Sequence, residues 1–86
     1  MTFEQARRAV QANDKYRPVD VDGHPYPVAD WGWENDEVFV VVFDYGDDTA
    51  SREELVRVVD KGSGQLTFRS ASAMPLGLRP INDPPG

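Results

Sequence analysis

The stretch R-E-E-L-V-R-V-V-D-K-G-S-G-Q-L-T-F-R, residues 52 to 69, decides the fold. Two alternating apolar runs flank the polar D-K-G-S-G, which is the pattern of a β-hairpin. Gly62 and Gly64 bracket Ser63 and supply the permissive backbone that such a turn needs. The pattern recurs just upstream, where Trp31-Gly32-Trp33 and E-V-F-V-V-V-F (Glu37 to Phe43) flank the polar Glu34-Asn35-Asp36. These runs predict strands at about 28–33, 37–44, 54–60 and 64–69, joined as antiparallel neighbours.

Outward from the hairpins, Thr2 and Gln5 have the form of a capping box, and Phe3, Ala6, Ala9 and Val10 fall on one helical face. That predicts a short amphipathic helix from residue 3 to about 13, with Arg7, Arg8 and Gln11 on its wet side. Between Arg17 and Pro27, three prolines and little periodicity mark an extended connection. Asp44 to Arg52 reads as an exposed, mobile acidic loop. After the last hairpin, Met74, Leu76, Leu78 and Ile81 are expected to pack on the sheet, and residues 82–86 to be disordered. The expected architecture is one α+β domain, residues 1–81, with a short N-terminal helix on an antiparallel sheet of about four strands.

The second strand constrains what surrounds it. Val38, Val40 and Val42 face one way, and Phe39, Val41 and Phe43 the other. A sheet with one face in water alternates apolar with polar, so both sides of this strand need a cover. One short helix covers one side. We expect the Met74 to Ile81 segment to cover the other, with a second protein chain as the alternative.

Composition narrows the function. With 86 residues and no cysteine, the chain has no disulfide framework, and a single histidine leaves no Cys/His zinc cluster. The N-terminus, M-T-F-E-Q-A-R-R, reads as neither secretory signal nor membrane anchor, and no apolar run is long enough to span a bilayer. A cytoplasmic location is the simplest expectation. Net charge is −6, and it is unevenly placed. Residues 30–60 carry ten acidic side chains against two basic ones, whereas residues 1–29 balance. Without a basic stripe nucleic-acid binding is disfavoured, and a basic protein partner is favoured. The alternative is that these carboxylates serve turns and solubility.

Candidate chemistry is sparse. His24, in V-D-G-H-P-Y-P beside Asp20 and Asp22, is the only imidazole, and no serine has the setting of a nucleophile. Ser63 belongs to a hairpin turn. We expect a solvated loop histidine and no catalysis. Asp20-x-Asp22-Gly23 begins like a calcium loop, but the twelfth position, where a bidentate glutamate is required, is Trp31. Turn chemistry accounts better for this cluster and for Asp44, Asp47 and Asp48. No metal or cofactor is expected. Trp31 and Trp33, two apart, read either as core or, if exposed among Asp30, Glu34, Asp36 and Glu37, as interface anchors.

The order of helix, tryptophan-bearing strand, long apolar strand and V-V-D-K-G-S-G-Q-L (Val58 to Leu66) resembles small bacterial immunity-protein domains of the YrhB type, over roughly residues 31–68. The same hairpin is similar to that of PepSY domains, with Ser63 where both patterns prefer threonine. The immunity resemblance implies an intracellular non-enzyme that neutralises a toxin by occluding its active surface. The resulting expectation is an acidic, non-catalytic inhibitor of a basic partner protein. Its expected contact set is Asp44, Tyr45, Asp47, Asp48, Glu53 and Glu54, with Trp31 or Trp33 as anchors. The alternative is a small structural or regulatory domain that self-associates through the second strand.

Overall fold

A computed structural model describes residues 1–13, 15, 17–46 and 55–82. Helix α1 spans Phe3–Gln11, and the strands are β1 (Val28–Glu34), β2 (Val38–Phe43), β3 (Leu55–Asp60), β4 (Leu66–Ser70) and β5 (Arg79–Ile81). All pairings are antiparallel, in the order β4-β3-β2-β1-β5. The sheet is a four-strand meander to which the C-terminal β5 returns beside β1. The architecture is α+β with five strands, one more than the expected four.

The helix begins as the capping box requires. The Gln5 backbone N–H donates to Thr2 Oγ1 at 3.1 Å, and the Thr2 N–H donates to Gln5 Oε1 at 2.8 Å. Two otherwise orphaned donors are thereby satisfied. Ala6 and Val10 are buried against the sheet. Arg7, placed on the wet side by helical periodicity, instead reaches inward. Its Nε donates to the Ala29 carbonyl at 2.7 Å and its Nη2 to the Val28 carbonyl at 3.1 Å. The register of β1 on β2 shifts between Val28 and Gly32, the mark of a β-bulge, and Arg7 takes up carbonyls at this irregularity. Its Nη1 also pairs with Glu4 at 2.7 Å.

The two faces of β2 divide as period two demands. Phe39, Val41 and Phe43 join Ala6, Val10, Val28 and Val59 under the helix, with Phe3, Tyr26, Tyr45, Leu66 and Ile81 at the margin. On the opposite face Val40, Val56 and Val58 form a second cluster, covered by Trp33, Val38, Val42, Met74 and Leu78. The C-terminal segment therefore caps the second face. Two of its apolar residues depart from expectation: Leu76 is 91% exposed, and Ile81 packs on the helix side through β5. Strand β2 is central, with β1 and β3 bonded along its two edges, so it offers no edge to another copy.

Gly32 sits where β1 passes against the Phe3 ring of the helix. A Cβ there would overlap the Val40 carbonyl oxygen and approach the Phe3 ring to 2.9 Å. Strand glycines mark such close approaches. Arg57 is the one buried charged residue among those described, 2% exposed, its guanidinium 4.7 Å from the Phe43 ring centroid and 5.3 Å from that of Phe68. Flat guanidinium against aromatic faces suits such a site. At the C-terminal end, Asn82, expected in a disordered tail, donates from Nδ2 to the Asp30 carbonyl at 2.8 Å. Residues 83–86 lie outside the described residues.

Candidate functional site

The two hairpin turns lie at the same end of the sheet and are built by side chains that accept from their own backbone. In the β3–β4 turn, Asp60 Oδ1 accepts from the N–H groups of Gly62 and Ser63 at 2.8 Å each and from Ser63 Oγ at 3.2 Å. The Ser63 and Gly62 amides hold the Asp60 carboxyl below its ordinary value of 3.8. Ser63 Oγ in turn accepts from the Gln65 N–H at 3.1 Å, so the hydroxyl serves the turn. Gly64 takes φ +74°, the left-handed region that glycine adopts freely.

In the β1–β2 turn, Asn35 Oδ1 accepts from the N–H groups of Glu37 and Val38, both at 2.8 Å. Asn35 Nδ2 donates across to the Leu76 carbonyl at 3.1 Å, binding this turn to the C-terminal segment. Lys61 links the two turns: its N–H donates to the Glu37 carbonyl at 2.8 Å, and its Nζ pairs with Glu34 Oε1 at 2.8 Å. The same ammonium lies 4.6 Å from the Phe39 ring centroid. Glu34 is thus engaged by Lys61 and is no free acid beside the tryptophans. Between the turn and the C-terminal segment runs an open groove of about 330 Å³, lined by Asn35, Asp36, Glu37, Leu76, Gly77 and Arg79.

At the other end of the sheet stand Asp44 and Tyr45. The Asp44 N–H donates to the Pro27 carbonyl at 2.8 Å, and its Oδ1 accepts from Gly46 at 2.9 Å. Tyr45 packs against Tyr26 in a tilted ring contact, centroids 4.8 Å apart and planes inclined at 59°, half-buried at the margin of the helix-side core. Asp47, Asp48, Glu53 and Glu54, the rest of the expected acidic contact set, lie outside the described residues.

No family model matches this chain, and no curated protein or solved structure matches it either.

The structure separates residues that the sequence grouped. Trp33 packs on the face of the sheet opposite Tyr45, against Val40, Val56 and Val58. Trp31 is half-buried and joins neither cluster. One flat partner surface cannot engage Trp33 and Tyr45 together. Trp33 is therefore not an extension of the Asp44–Tyr45 patch. Sequence reasoning had Asp36 and Glu37 in view only as neighbours of the tryptophans, and Leu76 only as core. Their meeting across a groove depends on the return of the chain to form β5, for which no local signal exists.

His24 is exposed, its Nδ1 3.7 Å from Asp20 Oδ2, and Asp20, Asp22 and His24 offer potential ligand atoms within 4.8 Å of one another. Asp20 Oδ1, however, already accepts from the N–H groups of Asp22 and His24 at 2.9 Å each. This is an Asx-type turn, the chemistry expected of aspartates in a Val19-to-Pro25 loop closed by an isolated bridge. Among the described residues no helix is long and apolar enough to cross a membrane.

Proposed function

We propose that this chain is a non-catalytic, acidic protein-binding module that occludes a basic partner protein, in the manner of an immunity-type inhibitor acting in the cytoplasm. The observation that carries the reading is charge placement: ten acidic against two basic side chains within residues 30–60 of a chain whose first 29 residues are balanced. A surface of one sign accelerates encounter with a partner of the other and discriminates against like-charged proteins. Asp44 and Tyr45 adjoin the acidic run Asp47, Asp48, Glu53 and Glu54, and we assign the contact to this set. Lack of cysteine suits a reducing compartment. The same lack of clustered basic residues argues against a nucleic-acid partner.

The test is capture of the tagged protein from its native host, with and without the substitutions Asp47→Lys and Asp48→Lys. A stoichiometric basic protein that is lost from the charge-reversed variant and released by raised salt supports the reading. Recovery of the same protein by both forms at all salt concentrations refutes it.

A further inference from the structure

The groove between the β1–β2 turn and the C-terminal segment lies at the opposite end of β2 from Asp44, roughly 20 Å away at about 3.4 Å per strand residue. Its walls are braced. Asn35 uses both side-chain polar atoms, Oδ1 on its own turn and Nδ2 on the Leu76 carbonyl. Lys61 holds the Glu37 carbonyl from below. Mounted on this frame are two carboxylates with little to bind. Among the described residues the Asp36 side chain, 95% exposed, has an ion pair only with the Arg79 guanidinium, at 3.5 Å, and Glu37 has none. On the facing lip Leu76 stands 91% exposed, one of the few large apolar side chains in water.

We propose that this groove is a docking site for a lysine or arginine side chain of a partner protein, carried next to an aliphatic residue that covers Leu76. Charge complementarity selects the occupant: the lining carries Asp36 and Glu37 against the single cation Arg79. Arg79 also shows that a guanidinium reaches Asp36 from within the groove, by one long contact on a side chain that is itself 59% exposed. An incoming cation between Asp36 and Glu37 displaces Arg79 into solvent and engages two carboxylates in place of one. Because the bracing hydrogen bonds already fix the walls, little ordering accompanies binding. The site is distinct from the Asp44–Tyr45 set and shares with it only the sign of the partner.

The test is titration of the isotope-labelled protein with the peptide acetyl-Leu-Arg-Leu-Arg-amide, followed by amide shifts. The expected shifts centre on residues 35–37 and 76–79. Asp36→Asn with Glu37→Gln weakens binding about threefold to tenfold, as loss of two exposed ion pairs implies. Arg79→Gln, which removes the internal competitor, tightens it by about twofold to fivefold. A role for Arg79 that is merely structural gives weakening. The inference is overturned if Arg79→Gln weakens binding, if the Glu-for-Arg peptide produces the same shifts, or if no shift appears at the groove. Shifts confined to residues 44–46 overturn it while leaving the acidic contact set standing. Groove shifts that persist with Asp47→Lys and Asp48→Lys support it independently of that set.

Discussion

Substituting Gly32 by alanine tests how the helix is seated on the sheet. One methyl group is added at a position where it meets the Val40 carbonyl oxygen and two Phe3 ring atoms at 2.9 and 3.0 Å. The ring can turn aside, but the carbonyl belongs to the backbone of the central strand. Relief of the carbonyl overlap requires β1 to move from β2, and relief of the ring contact requires Phe3 to shift. Overpacking of this kind costs about 1–3 kcal/mol. Alanine also restricts the unfolded chain, which offsets about 0.4–1 kcal/mol. Gly32→Ala should therefore destabilise the domain by about 2 kcal/mol, near the upper part of the net range because backbone is involved. For a domain of this size that corresponds to a fall in Tm of about 8–16 °C. Thermal melts followed by far-UV circular dichroism, with urea unfolding for the free energy, measure both. Phe3→Leu in the same chain should recover part of the loss, about 0.5 kcal/mol or more of coupling in a double-mutant cycle. A Tm unchanged or raised by Gly32→Ala would refute the close approach of β1 to β2 and Phe3.

Other perturbations bear on separate parts of the structure. Arg7→Met keeps the aliphatic stem but leaves the Val28 and Ala29 carbonyls without their charged donor, and should cost about 1.5–3 kcal/mol in urea unfolding, more than Arg8→Met. Leu78→Ala uncovers Val40, Val56 and Val58; because Leu78 is half-buried we expect about 2 kcal/mol, at the low end for leucine truncation, together with greater self-association by light scattering. Asp60 titrates below 3.8 in the folded state, so its share of stability is present above that value and lost as pH falls through 3.8 toward the lower folded pKa. Asp60→Asn should therefore flatten the acid limb of the stability–pH curve in that window, and an unchanged limb would count against the turn geometry.

Much of this architecture is legible in the sequence because it rests on local signals. Thr2 and Gln5 announce the helix start, a continuous apolar run announces β2, alternating apolar residues announce β3 and β4, and Asp60 to Gly64 announce the turn between the last two. The six apolar residues of β2 also foretell two covered faces, and Met74 and Leu78 supply the second cover. Strand β5 was hidden for a physical reason. Arg79-Pro80-Ile81 is three residues long with a central proline, has no strand pattern of its own, and exists because Gly32 to Glu34 present an edge to it. Arg7 misled for another reason: helical periodicity places its Cα on the wet side, while its long side chain reaches back to the bulge. The candidate site was less legible than the fold. The sequence places Trp33 on a strand and Tyr45 at the start of the acidic loop, but only the assembled sheet puts them on opposite faces. The charge asymmetry is a property of the sequence, whereas the pairing of Glu34 with Lys61 and the meeting of Asp36, Glu37 and Leu76 are properties of the packed turns.

The claim that the acidic surface exists to bind a basic partner is tested most directly by charge reversal in the binding reaction itself. The protein captured from the native host should be purified and its affinity for the unaltered chain and for Asp47→Lys with Asp48→Lys measured by titration calorimetry at low and high salt. The account predicts affinity that falls with salt and at least a tenfold loss on charge reversal, about 1.4 kcal/mol. Equal affinity of the two forms, unaffected by salt, would contradict it and leave these carboxylates as groups that keep the domain soluble.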